Sequence, residues 1–147
     1  MLVNRENIVQ FIPQRPPVVM IHELIEAEET FAVTSTTVES MNIFFEEGHL
    51  AESGMVENIA QTAAAHAGYQ CSLHNLPPPL GYIAAIKNLK IVSMPALHDV
   101  IRTTIRVTNQ VFNVTIVNAE MRNRDEVICS CEMRVFIQDL PVKPTGE

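Results

Sequence analysis

Glu57-Asn58-Ile59-Ala60-Gln61-Thr62-Ala63-Ala64-Ala65-His66-Ala67-Gly68 is the stretch on which the fold turns. From about Ser53 to Leu73 the apolar pattern has a helical period, with Met55, Ile59, Ala63, His66 and Gln70 falling near one stripe. Ala60, Ala63, Ala64, Ala65 and Ala67 populate nearly every side, so the helix is slender and can be approached closely from several directions. It suits enclosure by something curved rather than a place on a surface. Asn75 and Pro77-Pro78-Pro79 end it. Glu57 stands near its start, where a buried carboxylate is costly unless it is paired or functional.

Outward from this helix the period changes to that of strands. Upstream, Asn4 can cap a short amphipathic helix through about Phe11, which Pro13, Pro16 and Pro17 stop. Val18 to Ala27, a turn at Glu28-Glu29-Thr30, and Phe31 to Val38 then read as a hairpin. Downstream, Leu80 to Val92 is one long apolar run, and Val100 to Thr108 alternates Ile101, Thr103, Ile105 and Val107 against Arg102, Thr104, Arg106 and Thr108. Asn109-Gln110 is expected to turn the chain into Val111 to Met121, and Asn123-Arg124-Asp125 into a last strand from Glu126 to Ile137. Strands with one segregated helix indicate an α+β domain whose antiparallel sheet covers that helix. The expected organisation is one domain over residues 1–140, with 141–147 as a loose tail.

Composition narrows the function classes. Of 147 residues, 47% are hydrophobic and 18% charged, a globular balance that argues against disorder. The formal charge of −7, with no cluster of Lys and Arg, argues against nucleic acid as the main partner. No segment approaches the roughly 18 apolar residues of a membrane helix, and Met1 to Asn7 lacks the pattern of a secretory signal, so a cytoplasmic location is expected. Three cysteines make a disulfide framework improbable. Cys129 and Cys131 should share one strand face, and with Cys71 they lack the paired spacing of a structural zinc site.

Two residues point to chemistry. His49 follows glycine in Phe44-Phe45-Glu46-Glu47-Gly48-His49, and an imidazole near the Glu57 carboxyl is a natural couple for moving protons near neutral pH. Gln61, one turn after Glu57 on the same face, is placed to orient that carboxyl, with a polar helix residue satisfied by backbone as the alternative.

The order of elements, with Ile12-Pro13-Gln14-Arg15-Pro16-Pro17, the Gly48-His49 context, Glu57-Asn58-Ile59-Ala60-Gln61 and Gly81-Tyr82-Ile83-Ala84-Ala85-Ile86-Lys87, resembles the hotdog-fold 3-hydroxyacyl-acyl-carrier-protein dehydratases of the FabZ kind. It is most similar to their divergent members in aryl-polyene or flexirubin-type pigment clusters. The resemblance implies a hotdog fold, a curved antiparallel sheet wrapped around a long central helix. It implies dehydration of 3-hydroxyacyl thioesters, on acyl carrier protein or CoA, to trans-2-enoyl thioesters, with His49 as base and Glu57 of the other subunit as the acid for the hydroxyl. It further implies substrate contacts at Gln61 and Tyr82, no cofactor and no metal, and a homodimer, a higher even oligomer or a heterodimer.

One departure is visible. In the family the segment between histidine and carboxylate is longer and ends in a glycine whose N–H polarises the thioester carbonyl; here seven residues intervene, Glu52 stands at that position and Gly54 is out of register. A hotdog thioesterase and a catalytically silent subunit that partners an active dehydratase are the competing readings. Lys87, Lys90, Arg102 and Arg106 are read as a possible docking patch for an acidic carrier, with solvated strand charges as the alternative. His66 is expected to be packed or interfacial, His22, His74 and His98 have no evident partner in the sequence, and nothing catalytic is expected at His22.

Overall fold

The computed structural model describes residues 1–138; the tail expected at 141–147 lies outside them. After a 3-10 turn at Ile8–Phe11 come β1 (Glu23–Ala27), β2 (Phe31–Thr37), the short strands β3 (Phe45–Glu46) and β4 (His49–Leu50), then α1 (Glu52–Ser72). β5 (Gly81–Ile91), β6 (Val100–Val111), β7 (Val114–Asn123) and β8 (Glu126–Ile137) follow. Six strands form one antiparallel sheet in the order β1-β2-β6-β7-β8-β5, while β3 and β4 pair separately. Helix α1 touches all six strands of that sheet. This is the enclosed helix that the alanine-rich stretch points to and the hotdog architecture that the resemblance implies.

Alternation sets which side of each strand meets the helix. Ala32, Thr34, Thr36 and Val38 are buried in and after β2, Ile101, Thr103 and Ile105 in β6, Val117, Ala119 and Met121 in β7, and Cys129, Cys131, Met133, Val135 and Ile137 in β8. Against them α1 buries Met55, Ile59, Ala63, Ala65 and Ala67. The cysteines belong to this core as free thiols, and burial pushes Cys129 and Cys131 up to about 11. They are inert packing groups at neutral pH.

Close backbone approach explains one glycine. A Cβ at Gly68 would lie 1.8 Å from the Phe11 carbonyl oxygen, so only glycine lets the 3-10 turn seat against the helix. Phe11 also packs its ring 5.9 Å from that of Tyr69. No helix among the described residues is long and apolar enough to cross a membrane.

Three local expectations are corrected. Asn4 caps no regular helix: its Oδ1 accepts from the Asn7 N–H, and the turn that follows is 3-10 with no side-chain cap. Val18 to His22 lies outside the sheet: Gln61 and Asn58 of the helix bond the Val18 carbonyl and both backbone groups of Met20, and β2 is reached only at His22, whose N–H donates to the Ser35 carbonyl. Asn109 and Gln110 do not turn the chain; they pair with Ile116 and Thr115, and the hairpin tip falls at Phe112-Asn113, with Phe112 at φ 55° and 95% exposed.

Candidate active site

One face of α1 borders open space at the edge of the core. Glu57, Ala60, Ala64 and Ala67 recur at helical spacing and floor a groove of about 350 Å³, walled by Ile83, Val135 and Ile137 with Gly81, Tyr82 and Pro79 at its side. The alanines now have a reason: short side chains leave this space open. Gln14 completes the lining.

Glu57 is half-buried and held. Gln61 Nε2 donates to Glu57 Oε2 at 2.7 Å and to the Val18 carbonyl at 2.8 Å, while Gln61 Oε1 accepts from the Met20 N–H at 2.6 Å. Gln61 itself is fully buried, so it reaches the groove only through Glu57. The next residue extends the same anchoring. Asn58 Nδ2 donates to the Met20 carbonyl and Thr36 Oγ1, and Asn58 Oδ1 accepts from Thr103 Oγ1 at 2.5 Å. Thr62 bonds Thr34 Oγ1 and the Asn58 carbonyl. Gln61, Asn58 and Thr62 thus fix the first turns of α1 to β2, β6 and the 18–20 segment through three threonine hydroxyls and three backbone groups.

His49 stands on β4, half-buried, outside the groove that holds Glu57. Gly48, at φ 87°, makes the turn before it, and the 95–97 segment supports it: Leu50 N–H donates to the Pro95 carbonyl, Leu97 N–H to that of Gly48. His49 Nδ1 lies 3.4 Å from the Leu50 carbonyl. With the proton on Nδ1 directed there, Nε2 keeps its lone pair.

Gly54, out of register as an oxyanion glycine, has a packing role. Its Cβ would sit 2.6 Å from Phe44 Cβ, and its N–H donates to the Ala51 carbonyl at 3.0 Å.

Tyr82 lines the groove, but across the ladder it pairs with Phe136, whose neighbours Val135 and Ile137 point inward. Its ring therefore shares the outer strand face with Phe136, while Ile83 faces the helix. The basic residues do not form one patch: β7 and β8 separate Lys87 and Lys90 on β5 from Arg102 and Arg106 on β6. Arg102 faces Arg122 across the ladder, and Arg106 lies over the Phe31 ring at 5.3 Å.

Two of the remaining histidines carry structure. His66 Nε2 donates to the Glu28 and Glu29 carbonyls, and His22 Nδ1 accepts from the Thr37 N–H. Burial lowers both pKa values below the usual 6.5. No group of three or more metal-ligating His, Cys, Asp or Glu side chains occurs among the described residues.

The two sheet edges differ. β1 is covered, since Val3 bridges Leu24, whereas β5 has no strand on its outer side among the described residues and exposes Tyr82, Ile83, Ile86 and Leu89. A free apolar edge is a pairing surface.

Comparison with known proteins places this arrangement. The structure is similar to the dehydratase heterocomplex ApeI:P from Xenorhabdus doucetiae, at a TM-score of 0.83 and 15% identity over 92% of this chain and 91% of that one. It is also similar to a hypothetical thioesterase from Streptococcus pneumoniae solved with coenzyme A, at 0.65 and 13% over 82% and 88%. An uncharacterised protein from Pyrococcus horikoshii matches at 0.68 and 10% over 88% and 92%. At these identities the likeness establishes the hotdog fold. No relative was found among curated proteins. The sequence itself matches the profile of the ApeP-like family, described as ApeP dehydratase, over residues 6–143, and the chain belongs to that family.

Proposed function

We propose that this dehydratase converts 3-hydroxyacyl thioesters carried on acyl carrier protein to trans-2-enoyl thioesters, by acid–base catalysis between His49 of one subunit and Glu57 of the partner subunit. The observation that carries the reading is Glu57: one carboxyl in a groove otherwise floored by alanine and walled by aliphatic side chains. An acyl chain fits such a lining.

His49 Nε2 takes the proton from C2 beside the thioester carbonyl. Its electron pair forms the C2–C3 double bond as the C3–O bond breaks, and the Glu57 proton joins the departing oxygen as water. Gln61 occupies Glu57 Oε2, so Oε1 is the oxygen that carries the transferred proton. Proton return from imidazolium to carboxylate resets the site. For the thioester carbonyl, the Gly54 N–H is committed to Ala51, which leaves the first-turn N–H groups of Glu52 and Ser53 as donors. Ile83 and the alanine stripe border the path of the chain. The partner subunit is a second copy or a related hotdog chain, the latter favoured by the heterocomplex among similar structures.

The similar thioesterase gives the second reading, in which Glu57 activates water to release a free thiol. Incubation with 3-hydroxyacyl and 2-enoyl thioesters, with double-bond formation and thiol release followed together, separates the two. Interconversion that His49→Ala and Glu57→Gln each abolish in a folded protein supports dehydration. Thiol release without interconversion supports hydrolysis, and parent rates in both variants would end the site assignment.

A further inference from the structure

The motif Ile12-Pro13-Gln14-Arg15 is built more rigidly than a surface loop requires. Arg15 Nη1 lies 3.1, 2.8 and 2.8 Å from the carbonyls of Val9, Ile12 and Gln14, and Ile12 is completely buried. The preceding Phe11 carbonyl is seated on Gly68. This clamp presents Gln14 to the groove that contains Glu57. Yet Gln14 Oε1 is buried without a hydrogen-bond partner among the described residues. A buried acceptor left unpaired costs roughly 1–3 kcal/mol, so its presence in a binding groove calls for a ligand that pairs it.

The chemistry of the groove says what that ligand group is. A 3-hydroxyl that receives a proton from Glu57 still has its own hydrogen to donate, and among alanine and aliphatic side chains that hydrogen needs an acceptor. Gln61 cannot serve, because its oxygen already accepts from Met20. Tyr82 is paired with Phe136 on the outer strand face. We propose that Gln14 recognises the substrate hydroxyl: its carboxamide oxygen accepts the 3-hydroxyl hydrogen and holds the lone pairs of that oxygen toward Glu57. The terminal torsion of glutamine is broad, so the carboxamide can turn its oxygen to the lumen without moving the clamped backbone. Both hydrogens of the departing water are then accounted for, one held by Gln14 and one delivered by Glu57. Gln14 is thereby the residue that separates 3-hydroxyacyl from saturated chains of equal length.

This assignment rests on the dehydratase reading, but its test does not need turnover. Binding is measured for a 2,2-difluoro-3-hydroxyacyl pantetheine thioester, which has no C2 proton to lose, and for the matching 2,2-difluoroacyl thioester without the hydroxyl. The parent protein should prefer the hydroxyl-bearing ligand by about 10-fold or more. Gln14→Leu should bring the two affinities within about 2-fold of each other while binding the deoxy ligand as the parent does. Gln14→Met should repeat the result should the leucine variant fail to fold. Equal weakening of both ligands, a preference that survives either substitution, or a parent without preference would overturn the assignment. Loss of the dehydratase reading would show separately, as absent interconversion in the parent.

Discussion

Gln61 Nε2 donates to Glu57 Oε2 at 2.7 Å while the other bonds of the same carboxamide hold the Val18 carbonyl and the Met20 N–H. One side chain therefore orients the proposed acid and ties the helix to the segment that precedes β1. Gln61→Leu strands two buried backbone groups and frees the carboxyl, at about 1–3 kcal/mol for each group left unpaired. The denaturant midpoint should fall with an unchanged slope, and turnover of the folded fraction should drop at least about 10-fold. A variant as stable and as active as the parent would refute this coupling.

Gly68, Gly54 and Gly48 should rank in that order when each is replaced by alanine. At Gly68 the added Cβ meets backbone, the Phe11 carbonyl at 1.8 Å, and the 3-10 turn must move, which costs about 3 kcal/mol or more. At Gly54 it meets Phe44 Cβ at 2.6 Å, in a loop with more room to shift. At Gly48 there is open space, and only the positive φ resists, at roughly 1–2 kcal/mol. Thermal unfolding of the three variants checks the order.

The long helix was legible because alanine at five of its positions leaves the helical period unopposed; its predicted bounds, about Ser53 to Leu73, differ by one residue from Glu52–Ser72. β5 was legible for a similar reason, as an apolar run closed by proline on one side. The β6–β7 tip was not. Its residues, Phe112-Asn113, are flanked by Val111 and Val114, and an apolar tip hides from a search for polar turns, while Asn109-Gln110 mimics one inside the ladder. Val18 to His22 reads as a strand because its residues are largely β-branched and apolar, but Gln61 and Asn58 hold its Val18 and Met20 backbone groups from across the fold, and no local pattern records that. His49 and Glu57 stood out by residue type. Gln14 did not, because an unpaired oxygen is a property of the folded groove.

Acid should destabilise the fold before its carboxylates titrate. Desolvation lowers the His66 pKa below 6.5, against the smaller opposing effect of the Glu28 and Glu29 carbonyls, and desolvation with the Arg5 charge lowers that of His22. In the unfolded chain both rings take up protons near 6.5, so there the unfolded state binds more protons and stability falls as pH drops. It is complete above about pH 7. Glu39, lowered by its bond to Arg5, adds its own loss only below 4.5. The denaturant midpoint should decline between pH 7 and 5, with a shallower decline for His66→Gln; equal slopes in parent and variant would exclude His66 as a cause.

Ala64 lies midway along the groove floor, so its replacement by leucine should act as a stop for the acyl chain. The site is half-buried and faces open space, which keeps the effect on stability under about 1 kcal/mol. Rates on short 3-hydroxyacyl thioesters should stay near those of the parent, while rates on long ones fall at least about 10-fold. A uniform loss across chain lengths would mean that the chain takes another path.

The placement of His49 outside the groove of Glu57, with a β5 edge beside that groove unpaired among the described residues, gives the site assignment its sharpest consequence. Two β5 edges that pair would cover Tyr82, Ile83, Ile86 and Leu89 and bring the His49 loop of each subunit toward the groove of the other. His49→Ala and Glu57→Gln should each be inactive alone. Unfolded together and refolded, they form mixed dimers in which one site carries both substitutions and the other carries neither. Random pairing makes half of the dimers mixed, so the sample should recover about a quarter of the parent activity. Full intrachain sites would recover nothing on mixing, since every chain would still lack one of its two groups. The same experiment with a related hotdog chain in place of one variant decides between like and unlike partners: activity restored to His49→Ala but not to Glu57→Gln would assign the imidazole to the partner and the carboxyl to this chain.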